Sequence, residues 1–122
     1  YFILFADLKD NKLNNNIIKN LKKHSYKEKY FFSSIKSNHR KFEEKRYWRG
    51  PVWINCNWII YQGLKNKDNR FANQIKKKTI DLVKQKGFNE YFSCKTGKGF
   101  GATNFSWTAS LFLDLILENK YE

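Results

Sequence analysis

Apolar and polar positions divide this chain into helical stretches separated by two long irregular ones. Tyr1-Phe2-Ile3-Leu4-Phe5 is an apolar run with no capping residue ahead of it, so residues 1–8 are predicted to be the end of a buried helix, broken at Lys9-Asp10-Asn11. Leu13, Ile17 and Leu21 then recur every four positions with Ile18 alongside, which predicts an amphipathic helix over 12–24 closed by His24-Ser25. From Tyr26 to Arg46 neither the helical nor the strand period is sustained. A loop is expected there, with a short extended piece around Tyr30–Ile35, and irregular stretches of about twenty residues are often functional.

Gly50-Pro51 is expected to open the next helix, with proline at the first helical position, where its missing N–H costs nothing. Residues 51–64 are nearly all apolar, the exceptions being Asn55, Asn57 and Gln62, so this helix should be buried on most sides. Over 69–86, Phe71, Ala72, Ile75, Thr79, Leu82 and Val83 make one stripe, leaving Lys76, Lys77 and Lys84 to face water; Gly87 is a natural stop. A second, glycine-rich loop covers 88–105. Ser106 is then placed to cap a last helix over 107–118, with Leu111, Phe112, Leu115 and Ile116 inward. No strand is required. The order matches inner and outer helices alternating in a ring of helical hairpins, an all-α fold with 1–122 as part of a single domain.

Composition refines this picture. A length of 122 residues allows one domain at most. The chain has no methionine and opens on an apolar run, which reads as a segment of a longer protein starting inside a helix; a processed N-terminus is the other explanation. The net charge of +13, from 24 basic and 11 acidic residues, raises the question of nucleic acid. The lysines are dispersed, however, and Lys76-Lys77-Lys78 would point three ways from a helix. Abundant Asn, Ile, Phe, Tyr and Lys, with the Asn14-Asn15-Asn16 tract, fits AT-rich coding. No specific nucleic-acid partner is expected, only weak, salt-sensitive attraction to polyanions.

Cys56 and Cys94 are too few and too far apart for a disulfide framework or a zinc site; Cys56 reads as a small buried residue, and a reducing, cytoplasmic location is expected. His24 and His39 have no partner at ligand spacing, so neither metal nor other cofactor is expected. No run of 18 apolar residues offers a membrane span.

Two aromatic motifs about thirty residues apart carry the candidate chemistry. The first is Tyr47-Trp48-Arg49-Gly50-Pro51-Val52-Trp53-Ile54-Asn55-Cys56-Asn57-Trp58. The second runs from Gly87-Phe88-Asn89-Glu90-Tyr91-Phe92 through Gly97-Lys98-Gly99 to Asn104-Phe105-Ser106-Trp107-Thr108. Flat rings beside one carboxylate suggest a sugar cleft. Glu90 lies among Phe88, Tyr91 and Phe92, where lost solvation raises a carboxyl pKa toward the range useful for proton transfer; the alternative is an exposed loop glutamate. Trp48, Trp53 and Trp107 offer faces for the apolar side of a sugar ring, or ordinary core packing. Trp53 and Asn57 share a helix face, and a buried Asn57 needs a partner, internal or a sugar hydroxyl. Trp58 points elsewhere and reads as structural. Arg49 suits a carboxylate or vicinal hydroxyls, or an ion pair that holds its own loop. Gly97, Gly99 and Gly101 lack the Gly-Lys-Ser/Thr ending of a phosphate loop and read as punctuation that lets backbone approach a ligand.

Taken together, these motifs resemble glycoside hydrolase family 63, and within it the mannosylglycerate-hydrolase-like branch, with order and spacing agreeing over roughly residues 30–118. The resemblance implies an (α/α)6 toroid, of which this chain would be the C-terminal portion, and inverting hydrolysis of an α-glycosidic bond. The substrate class would be mannosylglycerate, glucosylglycerate or a glucose-terminated oligosaccharide. Glu90 matches the family's general base. The general acid, an aspartate, lies upstream in the family, and Asp7, Asp10, Asp68, Asp81 and Asp114 fall outside the matching motif. The resemblance implies that Trp48, Trp53 and Trp107 shape sugar subsites and that Arg49 and Asn57 donate to the substrate. It also implies that this segment alone is inactive and poorly soluble. A non-catalytic carbohydrate-binding relic is the alternative, and a basic nucleic-acid-binding helical module a more distant one.

Overall fold

The computed structural model describes residues 2–6, 9–25 and 27–118. Among them, a 3-10 turn at Phe2–Leu4 is followed by α1 (Asn11–Ser25), α2 (Ile54–Leu64), α3 (Asn69–Lys86), a hairpin of β1 (Tyr91–Phe92) and β2 (Gly99–Phe100), and α4 (Ser106–Leu117). The expected buried helix at the start is only that turn. Leu4 is buried, whereas Phe2 and Phe5 are exposed; residues 1, 7 and 8 of that expectation lie outside the described residues.

The third helix shows local signals acting together. Asp68 accepts from the Phe71 N–H at 3.1 Å and caps the first turn, while Lys22 of α1 pairs with the same carboxylate at 2.6 Å. The lysine, ahead of the backbone donor, holds the Asp68 carboxyl below its usual range. Phe71, Ala72, Ile75, Thr79, Leu82 and Val83 are buried, and Gly87, with φ of +82°, ends the helix in the left-handed region that glycine adopts freely. Lys76 departs from expectation. It is buried, its Nζ 3.2 Å from Glu118 and over the Tyr61 ring. A carboxylate 42 residues away makes that burial tolerable.

The start of α2 also differs. Pro51-Val52-Trp53 is extended and the helix begins at Ile54. The reason is pairing: Val52 exchanges two backbone hydrogen bonds with Phe92, of 2.8 and 2.9 Å, and forms an antiparallel bridge to Ser33 on its other side. The second loop likewise contains a strand pair, Tyr91 opposite Phe100 and Phe92 opposite Gly99, where none was required. Phe105, not Ser106, stands at the cap position of α4 and provides no side-chain cap; its N–H donates to the Phe88 carbonyl at 2.8 Å instead.

Two cores result. Leu4, Ile18, Leu21, Phe32, Ile60, Leu64, Phe71, Ile75 and Leu115 pack where the four helices meet. Val52, Ile54, Leu82, Val83, Phe92 and Cys94 pack beneath the hairpin. Of the face expected for α4, only Leu115 is fully buried; Leu111, Phe112 and Ile116 are half-buried. No helix among the described residues is long and apolar enough to cross a membrane.

Candidate active site

The Val52–Phe92 pairing brings the two aromatic motifs together. Residues 47–53 lie on one side of it and Glu90 directly precedes β1 on the other. The indoles of Trp48 and Trp53 stack at 4.2 Å between centroids and 15° between planes. Trp53 is buried and its Nε1 donates to the Tyr47 carbonyl at 2.9 Å. Trp48 lies over it with almost half its surface exposed, 45%. Tyr47 stands edge-on to Trp53 at 4.7 Å, and Tyr91 closes the group 5.0 Å from Trp53. The result is a shelf: a buried indole supporting an exposed one, flanked by two tyrosines.

Glu90 is half-buried at the edge of this shelf. Its Oε2 accepts from the Ala102 N–H at 3.0 Å, and its own N–H donates to the Ala102 carbonyl at 2.9 Å. Partial loss of solvation and then the nearby Glu90 carboxylate hold the Tyr47 phenol above its ordinary range. Gly101 has φ of +72°, and a Cβ there would come within 2.4 Å of Glu90 Oε2, so a side chain at this position is excluded on both counts. Thr108 Oγ1 donates to the Asn89 carbonyl at 2.8 Å and pins the head of α4 beside the glutamate.

The remaining expected site residues are placed differently. Asn57 is turned into the protein. Its Nδ2 donates to the Phe31 carbonyl at 2.6 Å and to Thr79 Oγ1 at 3.2 Å, and its Oδ1 accepts from Phe32 N–H at 2.8 Å. With 1% of its surface exposed it is a clamp between loop and helices, a correction to its expected place on the sugar side. Arg49 pairs with Glu43 at 2.8 Å and donates to the Lys41 carbonyl at 3.3 Å, holding its own loop. Trp107 is half-exposed in the first turn of α4 and, among the described residues, makes no ring contact with the other tryptophans. Trp58 donates to Asp114 at 2.6 Å and ties α2 to α4.

Tyr47 and Tyr91 were not singled out from the sequence, although both lie inside the motifs. Two tyrosines bordering the tryptophans and the lone glutamate were the available signal. The described aspartates are committed elsewhere: Asp10 caps Leu13, Asp68 caps α3, Asp81 pairs with Lys77 and Asp114 takes Trp58. Asp7 lies outside the described residues.

Cys56 is half-buried where full burial was expected, and burial pushes its thiol up to about 11. Burial, then the Glu28 and Glu44 carboxylates, push the Cys94 thiol to about 11 as well. Both are protonated at neutral pH and poor nucleophiles. No group of three or more His, Cys, Asp or Glu among the described residues is arranged to hold a metal. A broad concavity of about 850 Å³ lies between the N-terminal turn, α1 and the end of α2, with Leu4, Asn14, Ile18 and Gln62 in its walls and Glu90 not among them.

Residues 1–108 match the family model for the mannosylglycerate hydrolase MGH1-like glycoside hydrolase domain. The chain is 44% identical over 80 residues to a mannosylglycerate hydrolase from Rubrobacter radiotolerans, covering 63% of this chain and 18% of that protein. It superposes with a TM-score of 0.83 and 33% identity on the crystal structure of a GH63 mannosylglycerate hydrolase from Thermus thermophilus in complex with glucose, covering 91% of this chain and 29% of that one. The structure of the enzyme in complex with Tris and D-glycerate gives the same TM-score, 0.83, at the same 33% identity. The chain thus spans 18% of the length of the curated relative and 29% of the solved one.

Proposed function

The chain belongs to the mannosylglycerate hydrolase MGH1-like glycoside hydrolase domain family, and from that premise we propose that it forms the base-bearing wall of an inverting α-glycosidase whose substrate is an α-glycoside of glycerate. The observation that carries this reading is the Glu90 carboxylate, held by the Ala102 N–H at the edge of the exposed Trp48–Trp53–Tyr47–Tyr91 shelf. In this reaction Glu90 takes a proton from water as the water oxygen bonds to the anomeric carbon. The glycosidic C–O bond breaks, and the departing glycerate oxygen is protonated by a carboxylic acid across the cleft, about 6.5–9.5 Å from the base. That acid is an aspartate lying in another part of the enzyme, so residues 1–122 alone are expected to be inactive. The uncovered apolar side chains of α4 make this isolated segment poorly soluble as well.

Trp48 supplies the exposed face on which the apolar side of the sugar rests, and Trp53 backs it. Trp107, half-exposed in the first turn of α4, offers the sugar a further face, next to Thr108, whose hydroxyl is bonded to the Asn89 carbonyl. Arg49, paired with Glu43 and bonded to the Lys41 carbonyl, steadies the loop that carries Trp48 and keeps further N–H donors for the substrate. The relative solved with glucose and with D-glycerate supports the choice of a glycerate glycoside as substrate.

Proton NMR of the intact protein turning over α-mannosylglycerate tests the reading. The first sugar signal should be the β-anomer, and Glu90→Gln should lower the rate by about 10²–10⁴-fold. An α-anomer as first product excludes inversion. Sugar binding without turnover would make the protein a carbohydrate-binding relic.

A further inference from the structure

We infer that Lys45 is a specificity-determining residue, whose ammonium group at the Phe100 end of the shelf takes the carboxylate of an acidic aglycone. This deepens the reading of the substrate as an α-glycoside of glycerate and rests on it.

The hairpin fixes the side on which Lys45 stands. Tyr91 and Phe100 are directly opposed in the antiparallel pair, so their side chains share one face. Their rings lie 6.2 Å apart, and Tyr91 is in turn 5.0 Å from Trp53, so that face is continuous with the shelf. Lys45 Nζ lies over the Phe100 ring, 5.8 Å from its centroid. Glu90 directly precedes Tyr91 and is bonded to Ala102, two residues past Phe100. The ammonium group thus belongs to the same surface as the indoles and the candidate base.

The backbone around Lys45 is held, while its side chain stays uncommitted. Arg46 N–H donates to the Glu43 carbonyl at 3.0 Å and Glu43 N–H to the Arg49 carbonyl at 2.7 Å, which closes a tight loop about residue 45. Both neighbouring acids are engaged elsewhere, Glu43 by Arg46 and Arg49 and Glu44 by Ser93. Lys45 is exposed and, among the described residues, has no ion pair. Arg49 already faces Glu43 at 2.8 Å, so Lys45 is the nearby cation whose charge is not answered. A glycerate glycoside brings a carboxylate to a surface that already carries Glu90. Like charges repel, and an ammonium group on a flexible stem offsets that repulsion while reaching the anion.

The test compares wild type, Lys45→Ala, Lys45→Arg and Lys84→Ala in the intact protein. Lys84 is exposed on α3 and controls for the loss of one positive charge. The probes are α-mannosylglycerate and its neutral analogue α-mannosylglycerol, and the readouts are kcat/KM for each and the melting temperature. Lys45→Ala should melt with wild type and lose about 5- to 50-fold in kcat/KM for the glycerate glycoside, between the effects of an exposed ion pair and a hydrogen bond between charged groups. For the neutral glycoside it should stay within about twofold. Lys45→Arg should keep the preference for the acid. Added salt should erode that preference in wild type and not in Lys45→Ala. Equal losses on the two glycosides, or an unchanged ratio between them, overturn this inference alone. So does a Lys84→Ala that matches Lys45→Ala, since net charge would then account for the effect. Wild type that cleaves neither glycoside, or prefers the neutral one, overturns the inference together with the reading of the substrate.

Discussion

Replacing Gly101 with alanine should cost the proposed hydrolysis far more than the stability of the fold. At φ of +72° a side chain meets its own backbone, at a cost of about 1–2 kcal/mol. The new Cβ would also stand 2.4 Å from Glu90 Oε2 and 2.8 Å from both Glu90 Cβ and Tyr91 Cε1. Ordinary contact begins near 3.4 Å, so the carboxylate oxygen must retreat by about 1 Å. A retreat of that size stretches its 3.0 Å bond to the Ala102 N–H, which directly follows residue 101 and stays in place. A misplacement of about 1 Å in a reacting group costs on the order of 10²-fold in rate. Gly87→Ala is the matched control. Its φ of +82° also strains a side chain, but its nearest heavy atom is Asn89 Nδ2 at 4.0 Å, so nothing is pushed. Kinetics and thermal melting of both variants in the intact protein separate the two effects. Both should melt lower, and only Gly101→Ala should lose about 100-fold in kcat. Equal losses of rate in the two variants, or a Gly101→Ala within a few-fold of wild type, would refute the geometric argument.

Asn57→Ala removes the buried donor to the Phe31 carbonyl and the acceptor of the Phe32 N–H. At about 1–3 kcal/mol for a stranded buried group such as the Phe31 carbonyl, the protein should lose at least that much stability, seen as a lower denaturation midpoint. Trp48→Ala, at a half-exposed position, should raise KM for α-mannosylglycerate about two- to tenfold, for the lost stacking of roughly 0.5–1.5 kcal/mol, with little change in melting. Glu118 is the acid-labile joint of the helices. Burial raises its carboxyl, but hydrogen bonds from Tyr61, Lys65 and Lys76 outweigh it and hold the group below 4.5. A depressed folded value means the stabilisation is complete above the unfolded value and disappears as pH falls through the folded one. The melting-temperature gap between wild type and Glu118→Gln should therefore be full at pH 7 and close on acidification below about 4.5; a gap constant across that window would contradict the assignment.

The parts legible from sequence are those where neighbouring residues decide the outcome. The third helix was predicted at 69–86 and is found there, because a capping aspartate, an unbroken apolar stripe and a terminal glycine all act within one short window. Pro51 misled for the opposite reason. Its preference for a first helical turn is local, but Val52 is held extended by partners 19 and 40 residues away. Two-residue strands such as Tyr91–Phe92 are too short to show alternation, so the hairpin left no pattern to read. Lys76 followed the helical period correctly and was still buried, because Glu118 lies far along the chain. At the site, the aromatic flanks of Glu90 were visible, but they are not equivalent. Phe92 faces the core beneath the hairpin, whereas Tyr91 borders Trp53 on the shelf. Asn57 was correctly read as needing a partner; its partners were internal and 22–26 residues away.

The long loop before α2 does its work by being held still. Gly50 N–H donates to Ser34 Oγ and Ser34 N–H to the Pro51 carbonyl, both at 2.9 Å, so the strip that carries Trp48 and Trp53 is stitched to residues 33–34. That stretch is anchored by Glu28, a buried carboxylate that accepts from the Ser33 N–H at 2.9 Å and the Ser37 N–H at 3.2 Å, with His24 of α1 at 3.1 Å. Ser93, just past β1, donates to Glu44 and ties the far end of the loop to the hairpin beside Glu90. Two acids and one strand of backbone pairing thus lock the shelf and Glu90 into one unit. In the proposed reaction a base and a sugar platform must keep their spacing to a fraction of an ångström. Placing both on either side of a single residue, Val52, whose two backbone bonds to Phe92 close the distance, makes that spacing a property of the backbone and not of flexible side chains.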